Sequence, residues 1–134
     1  MREILFRGKR TDNGEWVKGF YCRFNGKKHL IYTGYAEVDC GDYYPDAFEV
    51  DPSTVGQYTG LSDMCGKKIF EGDIVKRNRL GWIYRYQIYY DKGLASFIGL
   101  RGIGFTTFTY DLDEFEIIGN VYDNPELLKE CEQA

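Results

Sequence analysis

Residues Val55–Lys76, VGQYTGLSDMCGKKIFEGDIVK, are the stretch that decides the fold of this chain. Short apolar and aromatic runs alternate in it with glycines and small polar residues, a pattern typical of short strands joined by tight turns. Gly60, Gly66 and Gly72 punctuate the stretch, and glycine reaches positive φ angles without a steric penalty. The pattern predicts a strand at Val55–Thr59 that ends at Gly60, a turn that ends at Gly66, and then a second strand.

The composition of the whole chain favours a mainly β fold. Aromatic residues make up 17% of the 134 residues, and the chain contains 12 tyrosines and 16 glycines. This balance favours strands and turns over helices. The length suits one domain or two small β subdomains, and it is sufficient to bury a core.

The N-terminal third predicts a three-stranded β-meander. Strands are expected at Ile4–Arg7, Trp16–Phe24 and Leu30–Tyr32. The Asn-Gly pairs at residues 13–14 and 25–26 are the residues that type I′ hairpin turns prefer. The side chains of a strand alternate between its two faces, so the middle strand gains one apolar face, on which the stem of a lysine can also lie. This face carries Trp16, Lys18, Phe20, Cys22 and Phe24.

The periodicity fades from Gly34 to Phe48, and we expect a loop-rich insert there. Its acids and tyrosines lack the D-x-[DN]-x-[DN]-G order of a calcium loop, which favours a solvated loop or a partner-facing surface over a metal site. The insert is followed by one predicted helical turn, with Asp51 as its cap and Pro52 at its first position. The candidate acidic interaction surface consists of Glu37, Asp39, Asp42, Tyr43, Tyr44 and Asp46.

The C-terminal part predicts further short strands and a short helix. The helix is expected to begin at Pro125, with Asn124 as its cap and with Leu127, Leu128 and Cys131 facing inward. About five strands separated by turns are what a small closed barrel requires. The expected strands are Asp73–Arg77, Trp82–Tyr90, Ala95–Leu100, Phe105–Tyr110 and Phe115–Tyr122.

Three blocks of the sequence together form a distinctive pattern. The first is REILFRGKR at residues 2–10, followed by DNGEWV at residues 12–17. The second is the QYTGL…G-K-x-I-F-E-G-D-I-V pattern within residues 57–75, and the third is FEIIGNVYDNPELL at residues 115–128. These blocks resemble the YopX-like family of bacteriophage and prophage proteins. They lie in the family's order and span nearly the whole chain.

The resemblance implies a phage or prophage origin, a cytoplasmic setting in a bacterial host, and a C-terminal region like an SH3-type barrel. It brings no catalytic residue and no cofactor with it. We therefore expect an N-terminal β-meander with an acidic, tyrosine-rich loop in residues 1–54. An SH3-like β-barrel with a short C-terminal helix is expected in residues 55–134.

Several classes of function find little support in the sequence. No apolar run approaches the ~20 residues that cross a bilayer, and the N-terminus is charged from Arg2, so a soluble, cytoplasmic protein is expected. The single histidine, His29, excludes a multi-histidine metal site, and we predict no cofactor. Four irregularly spaced cysteines are expected to be free thiols. They are Cys22, Cys40, Cys65 and Cys131.

The most enzyme-like feature is the pair of carboxylates in Glu71-Gly72-Asp73, which could act as an acid and a base. No histidine, nucleophile elbow or phosphate-binding loop accompanies them. The favoured interpretation is a turn whose carboxylates accept backbone N–H groups. We therefore do not expect an enzyme.

Charge is segregated along a chain whose net charge is −4. Thr33–Asp63 contains seven acids and no Lys or Arg, and Asp111–Ala134 contains eight acids against Lys129. The N-terminal third and Lys67–Arg85 are basic. Local potential steers encounters more than net charge does. One subunit thus offers both halves of a complementary pair, and we expect a homo-oligomer.

Two functional hypotheses follow from the sequence. The first is a non-enzymatic phage or prophage accessory protein that acts as a protein-interaction or assembly module, because tyrosine is enriched at interfaces. Its expected partner is a host or phage protein. The alternative is a small β-barrel that binds single-stranded nucleic acid through the basic-aromatic hairpin 76–86, where cations stand beside stacking rings. The candidate contact residues of that hairpin are Lys76, Arg77, Arg79, Trp82 and Arg85.

Overall fold

The computed structural model describes residues 3–37, 43–101, 104–107 and 114–128. The chain divides into two compact units, Met1–Tyr58 and Thr59–Ala134. This division follows Tyr58, whereas the sequence places one after residue 54. The described residues are mainly β, with antiparallel strand pairing in both units.

The first unit contains a sheet in the order β4-β3-β2-β1-β5. The pairs β1–β2, β2–β3 and β3–β4 are antiparallel, so the predicted meander is confirmed and a fourth strand extends it. A 3₁₀ turn at Pro52–Thr54 follows, and its cap Asp51 accepts a hydrogen bond from the N–H of Ser53, as predicted. The strands are β1 (Phe6–Lys9), β2 (Trp16–Phe24), β3 (Lys28–Glu37), β4 (Tyr43–Glu49) and β5 (Gly56–Ser62), of which β5 ends in the second unit.

The loop-rich insert predicted from Gly34 to Phe48 is wrong, because most of this segment is a long β-hairpin. Strand β3 continues to Glu37, which pairs with Tyr43. The register shifts between Tyr32 and Gly34, and such a bulge moves every later side chain to the other face of the sheet. The bulge therefore breaks the alternation that would otherwise reveal one continuous strand.

The two Asn-Gly pairs form different turns. Asn25 and Gly26 have φ angles of 53° and 68°, so the predicted type I′ turn is confirmed there. At the other pair only Gly14 has a positive φ, 74°, and its N–H donates to the carbonyl of Arg10. The connection between β1 and β2 is therefore a longer loop, and the predicted type I′ turn at residues 13–14 is wrong.

The core of the first unit lies on the face of β2 opposite to the one that carries Phe20, Cys22 and Phe24. Ile31 and Val50 are 0% and 1% exposed. Both side chains pack beside Gly8, and the Ile31 side chain also lies beside Gly19. A Cβ at Gly19 would lie 2.0 Å from the carbonyl oxygen of Tyr32, so β2 and β3 approach too closely there for any side chain. The buried face of β2 is thus the face of Gly19.

The second unit packs β6 against an antiparallel sheet in the order β10-β9-β8-β7-β11. Its core contains aliphatic and aromatic side chains from β6, β7, β8 and β11, namely Ile69, Val75, Tyr86, Ile88 and Phe115. Its strands are β6 (Lys68–Phe70), β7 (Asp73–Arg79), β8 (Trp82–Asp91), β9 (Ser96–Arg101), β10 (Gly104–Thr107) and β11 (Phe115–Asn120).

The described strands of the second unit do not form a closed barrel, because the five-stranded sheet has β10 and β11 at its two ends. The SH3-like barrel therefore stays a prediction. At the C-terminus the described residues contain one 3₁₀ turn, Pro125–Leu128, so the short C-terminal helix also stays a prediction. Cys131 lies outside the described residues.

The three glycines of the stretch Val55–Lys76 behave as the sequence predicts. Gly60, Gly66 and Gly72 have φ angles of 89°, 84° and 94°. The predicted end of the strand at Gly60 is wrong, however, because β5 continues through it to Ser62. A glycine bends a strand without ending its pairing, and Thr59 still reaches β6 by donating its hydroxyl to the carbonyl of Ile69 at 2.8 Å.

Candidate interaction surface

The acids of the stretch Val55–Lys76 hold the second unit together. One carboxylate oxygen of Asp63 accepts the N–H groups of Cys65 and Lys67, both at 2.9 Å, and the other accepts the N–H of Ile117 at 3.0 Å. Met64 donates its own N–H to the carbonyl of Phe115 at 2.8 Å. The turn after β5 is thereby fixed to β11.

Burial alone would raise the pKa of the Asp63 carboxyl. The hydrogen bonds from Ile117, Lys67 and Cys65, together with the positive charge of Lys67, outweigh burial and lower the pKa below the ordinary 3.8. Asp63 is 6% exposed, so its ionised form is stabilised by backbone groups inside the fold.

The pair Glu71 and Asp73 belongs to a structural turn. Asp73 is 2% exposed, and its carboxylate accepts the N–H of Phe70 at 2.8 Å. Gly72 donates its N–H to the carbonyl of Ile88 and accepts the N–H of Val121. A Cβ at Gly72 would lie 2.9 Å from the ring of Tyr122. Residues 57–75 and 115–128, the second and third blocks of the sequence pattern, are therefore in direct contact.

The exposed face of β2 and β3 carries what we call the aromatic strip, the side chains of Phe20, Cys22, Phe24, Leu30 and Tyr32. Phe20 pairs with Tyr32 and Cys22 with Leu30 across the two strands, and directly paired residues share one face of a sheet. Phe20 and Phe24 are 70% and 53% exposed. Large apolar side chains therefore stand side by side at the surface.

Basic side chains lie at both ends of the aromatic strip. Lys18 precedes Phe20 by two residues, and Lys28 pairs with Phe24; both lysines are exposed. On the β4 side the exposed acid Glu49 pairs with Leu30, and it is the charged neighbour of the strip among the described side chains there. The surroundings of the strip are therefore mainly basic.

Lys9 continues the basic character along the same face towards β1, whereas Arg7 is buried there. Arg7 and Lys9 pair with Lys18 and Trp16. The Arg7 guanidinium lies 4.7 Å from the centre of the Trp16 ring, and the Lys9 ammonium lies 5.6 Å from it. These distances are within the range of cation–π contacts.

The sequence pattern identified the right residues of β2 but not their role. Period two grouped Phe20, Cys22 and Phe24 correctly on one apolar face, but it did not say whether that face is buried. The signal that could have answered this question is Gly19 on the opposite face. A glycine in mid-strand often marks a place where another backbone approaches closely.

The single histidine lies on the opposite face of the same sheet. The Tyr21 hydroxyl is hydrogen-bonded to Nδ1 of His29, and the two rings are stacked with centroids 5.8 Å apart. Among the described residues no group of His, Cys, Asp and Glu could hold a metal ion. His29 thus contributes to packing between β2 and β3.

The structure divides the five candidate residues of the basic hairpin 76–86 between two faces of β7 and β8. Lys76 pairs with Arg85, so these two share one face. Arg77 and Trp82 share the other, because Arg77 pairs with Tyr84 and Trp82 lies two residues before Tyr84. The five residues therefore do not present one continuous basic-aromatic surface.

Three of these cations contact acceptors within the second unit. Lys76 lies 3.4 Å from Glu116, and Arg77 lies 3.8 Å from Glu114. Arg85 donates to the carbonyl of Leu127 at 3.3 Å. The side chain of Arg79 lies outside the described residues, and Trp82 is 46% exposed.

An open cavity of about 290 Å³ lies beside the first of these ion pairs. Lys76 and Glu116 supply its charged lining together with Glu114, so its opposite charges are already close together. The cavity is lined by Met64, Lys76, Asn78, Glu114 and Glu116.

The candidate acidic surface falls on the hairpin of β3 and β4. Glu37 pairs with Tyr43, and Tyr44 follows on β4. Asp46 accepts the hydroxyl of Thr33 at its backbone carbonyl, at 3.2 Å. Asp39 and Asp42 lie outside the described residues.

Of the four cysteines, Cys22 and Cys65 lie in the described part of the chain, and both are free thiols as predicted. Cys40 and Cys131 lie outside it. None of the described helices is long and apolar enough to span a membrane.

Comparison with known proteins identifies the family. The crystal structure of protein EF1440 from Enterococcus faecalis is similar, with a TM-score of 0.65 and 23% sequence identity over 96% of this chain and 99% of that one. At this level of identity the likeness shows the fold alone. No curated protein matches the chain. The family model described as "YopX protein" matches residues 5–129. The resemblance drawn from the sequence is therefore confirmed, and the chain belongs to the YopX protein family.

Proposed function

We propose that this protein is a non-enzymatic binding module whose working surface is the aromatic strip. The observation that carries the proposal is the exposure of Phe20 and Phe24 beside Leu30 and Tyr32. Scattered exposed apolar residues are normal on a protein surface, but contiguous patches mark interaction sites. The strip has the apolar centre and charged rim of such a site.

The geometry of the acidic pair supports a role without catalysis. Asp73 is buried and binds a backbone N–H, which is the behaviour of a turn residue. His29 is bound to Tyr21 on the face opposite to the strip. Neither Asp73 nor His29 has a catalytic role in the proposed function.

We further propose the biological setting that the family resemblance implies. The protein acts as a phage or prophage accessory protein in the cytoplasm of the bacterial host, within an assembly that it joins by contact. The two partner classes are another protein, a second copy included, and single-stranded nucleic acid. As a binding site for single-stranded nucleic acid, the hairpin 76–86 has less support than the strip, because the cations of the hairpin lie on two faces of the sheet.

Site-specific photo-crosslinking tests the working surface directly. A photoreactive phenylalanine analogue replaces Phe20 in the tagged protein, which is expressed in the host together with its phage. The control carries the same analogue at Leu94, which is 53% exposed in the second unit. The proposal predicts a specific adduct from position 20 alone. Equal adducts from both positions, or none from position 20, would contradict it.

A further inference from the structure

We propose that the aromatic strip binds single-stranded nucleic acid, with bases stacked on Phe20 and Phe24 and phosphates held beside Lys18 and Lys28. This inference rests on the proposed function, because it names the partner of the same surface. It also moves the nucleic-acid site from the hairpin 76–86 to the first unit.

The rings of the strip are placed as stacking platforms are. Phe20 and Phe24 are four residues apart on β2, which separates them by about 13 Å at the usual rise of a strand. The smaller side chain of Cys22 lies between them. Tyr32 adds a third ring on β3, opposite Phe20. Proteins that bind single strands stack bases on aromatic side chains of an open sheet face in this way.

The charges of the same face fit a polyanion. Lys18 and Lys28 stand at the two ends of the strip, and the half-buried Lys9 continues the basic character towards β1, where Arg7 is buried against Trp16. Among the described side chains, the acid Glu49 lies beside the strip. The net charge of −4 does not oppose this, because the local potential at a surface, and not the total charge, attracts a charged ligand.

Fluorescence anisotropy with a labelled oligothymidine and a labelled oligouridine of about 12 nucleotides tests the site. For single strands the slope of log K against log salt is about −0.7 per phosphate neutralised. The double variant K18A/K28A should therefore flatten the slope by about 1.4. The variants Phe20→Ala and Phe24→Ala should each weaken binding about tenfold and leave the slope unchanged.

Two matched variants separate the strip from other exposed apolar residues. Trp82→Ala removes the exposed ring of the basic hairpin, and Leu94→Ala removes an exposed aliphatic side chain. Both should bind like the unmodified protein. Loss of binding in Trp82→Ala with full binding in Phe20→Ala would overturn the inference in favour of the hairpin.

The free thiols provide a second readout that needs no substitution. Cys22 lies inside the strip, whereas Cys65 is exposed in the second unit. Bound oligonucleotide should slow the alkylation of Cys22, measured by peptide mass spectrometry, and leave that of Cys65 unchanged. Equal protection or no protection of the two thiols would contradict the proposed site.

The crosslinked adduct from position 20 distinguishes two claims: that the strip is the binding surface, and that its ligand is single-stranded nucleic acid. An adduct that nuclease removes supports both. An adduct that only protease removes, with no oligonucleotide binding at about 50 mM salt, would overturn the nucleic-acid ligand while the strip remains the binding surface. Absence of any adduct, together with absence of oligonucleotide binding, would overturn both.

Discussion

At the scale of single residues, Asp63 shows how one carboxylate organises a whole unit. It lies in the turn after β5, yet it binds Ile117, which is 54 positions away in sequence. Because it is buried and accepts three backbone N–H groups, its removal leaves donors without partners. An unsatisfied buried donor costs about 1–3 kcal/mol.

The variant Asp63→Asn should therefore lower the free energy of unfolding at neutral pH by about 2 kcal/mol. The pKa of Asp63 is lowered in the folded protein, so between that pKa and the ordinary value of 3.8 the unfolded state binds more protons. The stabilisation by Asp63 is complete above the ordinary value and is lost as pH falls through the folded pKa. Urea unfolding should show the difference between variant and parent shrinking in that acid range.

Asp51→Asn is the matched control for this prediction. Asp51 also accepts a backbone N–H, from Ser53 at 3.0 Å, and its pKa is also lowered, but it is exposed. Asparagine caps a helical turn about as well as aspartate. Asp51→Asn should thus change stability little, and an equal loss in both variants would contradict a special role for Asp63.

At the scale of elements, the β2–β3 and β7–β8 hairpins of the described chain form the same type of turn with different residues. Both Asn25-Gly26 and Leu80-Gly81 have positive φ angles at both positions, with Leu80 at 52°. Asparagine tolerates this conformation, whereas other residues with a Cβ pay about 1–2 kcal/mol for it. Leu80 is also 94% exposed, so burial does not offset the cost.

Leu80→Asn should therefore raise the free energy of unfolding by about 1 kcal/mol, because it supplies the preferred type I′ pair. The converse variant, Asn25→Leu, should lower it by a similar amount. Thermal and urea unfolding of both variants measure the two changes. A stabilising effect of Asn25→Leu would show that turn conformation does not decide the stability of these hairpins.

The same elements show why the sequence predicts some strands well and others poorly. Trp16–Phe24 was predicted with the observed bounds, because its alternation is unbroken and Asn-Gly ends it. The hairpin of β3 and β4 was missed because the shift after Tyr32 inverts the alternation. The backbones of β2 and β3 approach each other closely at Gly19, which is a tertiary contact. The face of Gly19 is the buried face of β2, so the apolar face with Phe20 is exposed.

At the scale of the whole molecule, segregated charge predicts self-association. Thr33–Asp63 carries only acids among its charged residues, while Lys67–Arg85 is mainly basic. Complementary patches on one chain steer two copies towards each other. Exposed ion pairs are worth only ~0–1 kcal/mol each and are screened by salt, so buried aromatic residues should supply most of the affinity.

Light scattering at several protein concentrations measures the expected oligomer. We expect a mass above the 15.6 kDa of one chain and a closed, small assembly. Added salt should slow association more than it dissociates the formed oligomer. A mass that stays at that of one chain across all concentrations would show that the opposite charges are satisfied within the monomer.

The aromatic strip illustrates what a sequence leaves open about a site. Its residues are visible as an alternating pattern, and so are the lysines beside it. Whether such a face is buried depends on which elements cover it, and that is decided by contacts between distant parts of the chain. The hairpin 76–86 shows the converse, because its cations are adjacent in sequence and lie on opposite faces in the sheet.

The contact between the Asp63 turn and β11 has a consequence for solubility. A strand at the end of a sheet exposes unpaired N–H and C=O groups, and these are templates for aggregation with other chains. At β11 the carbonyl of Phe115 and the N–H of Ile117 are already bound by Met64 and Asp63. Removal of the Asp63 carboxylate would free the Ile117 N–H, and β11 would then offer an unpaired donor to an edge strand of another molecule.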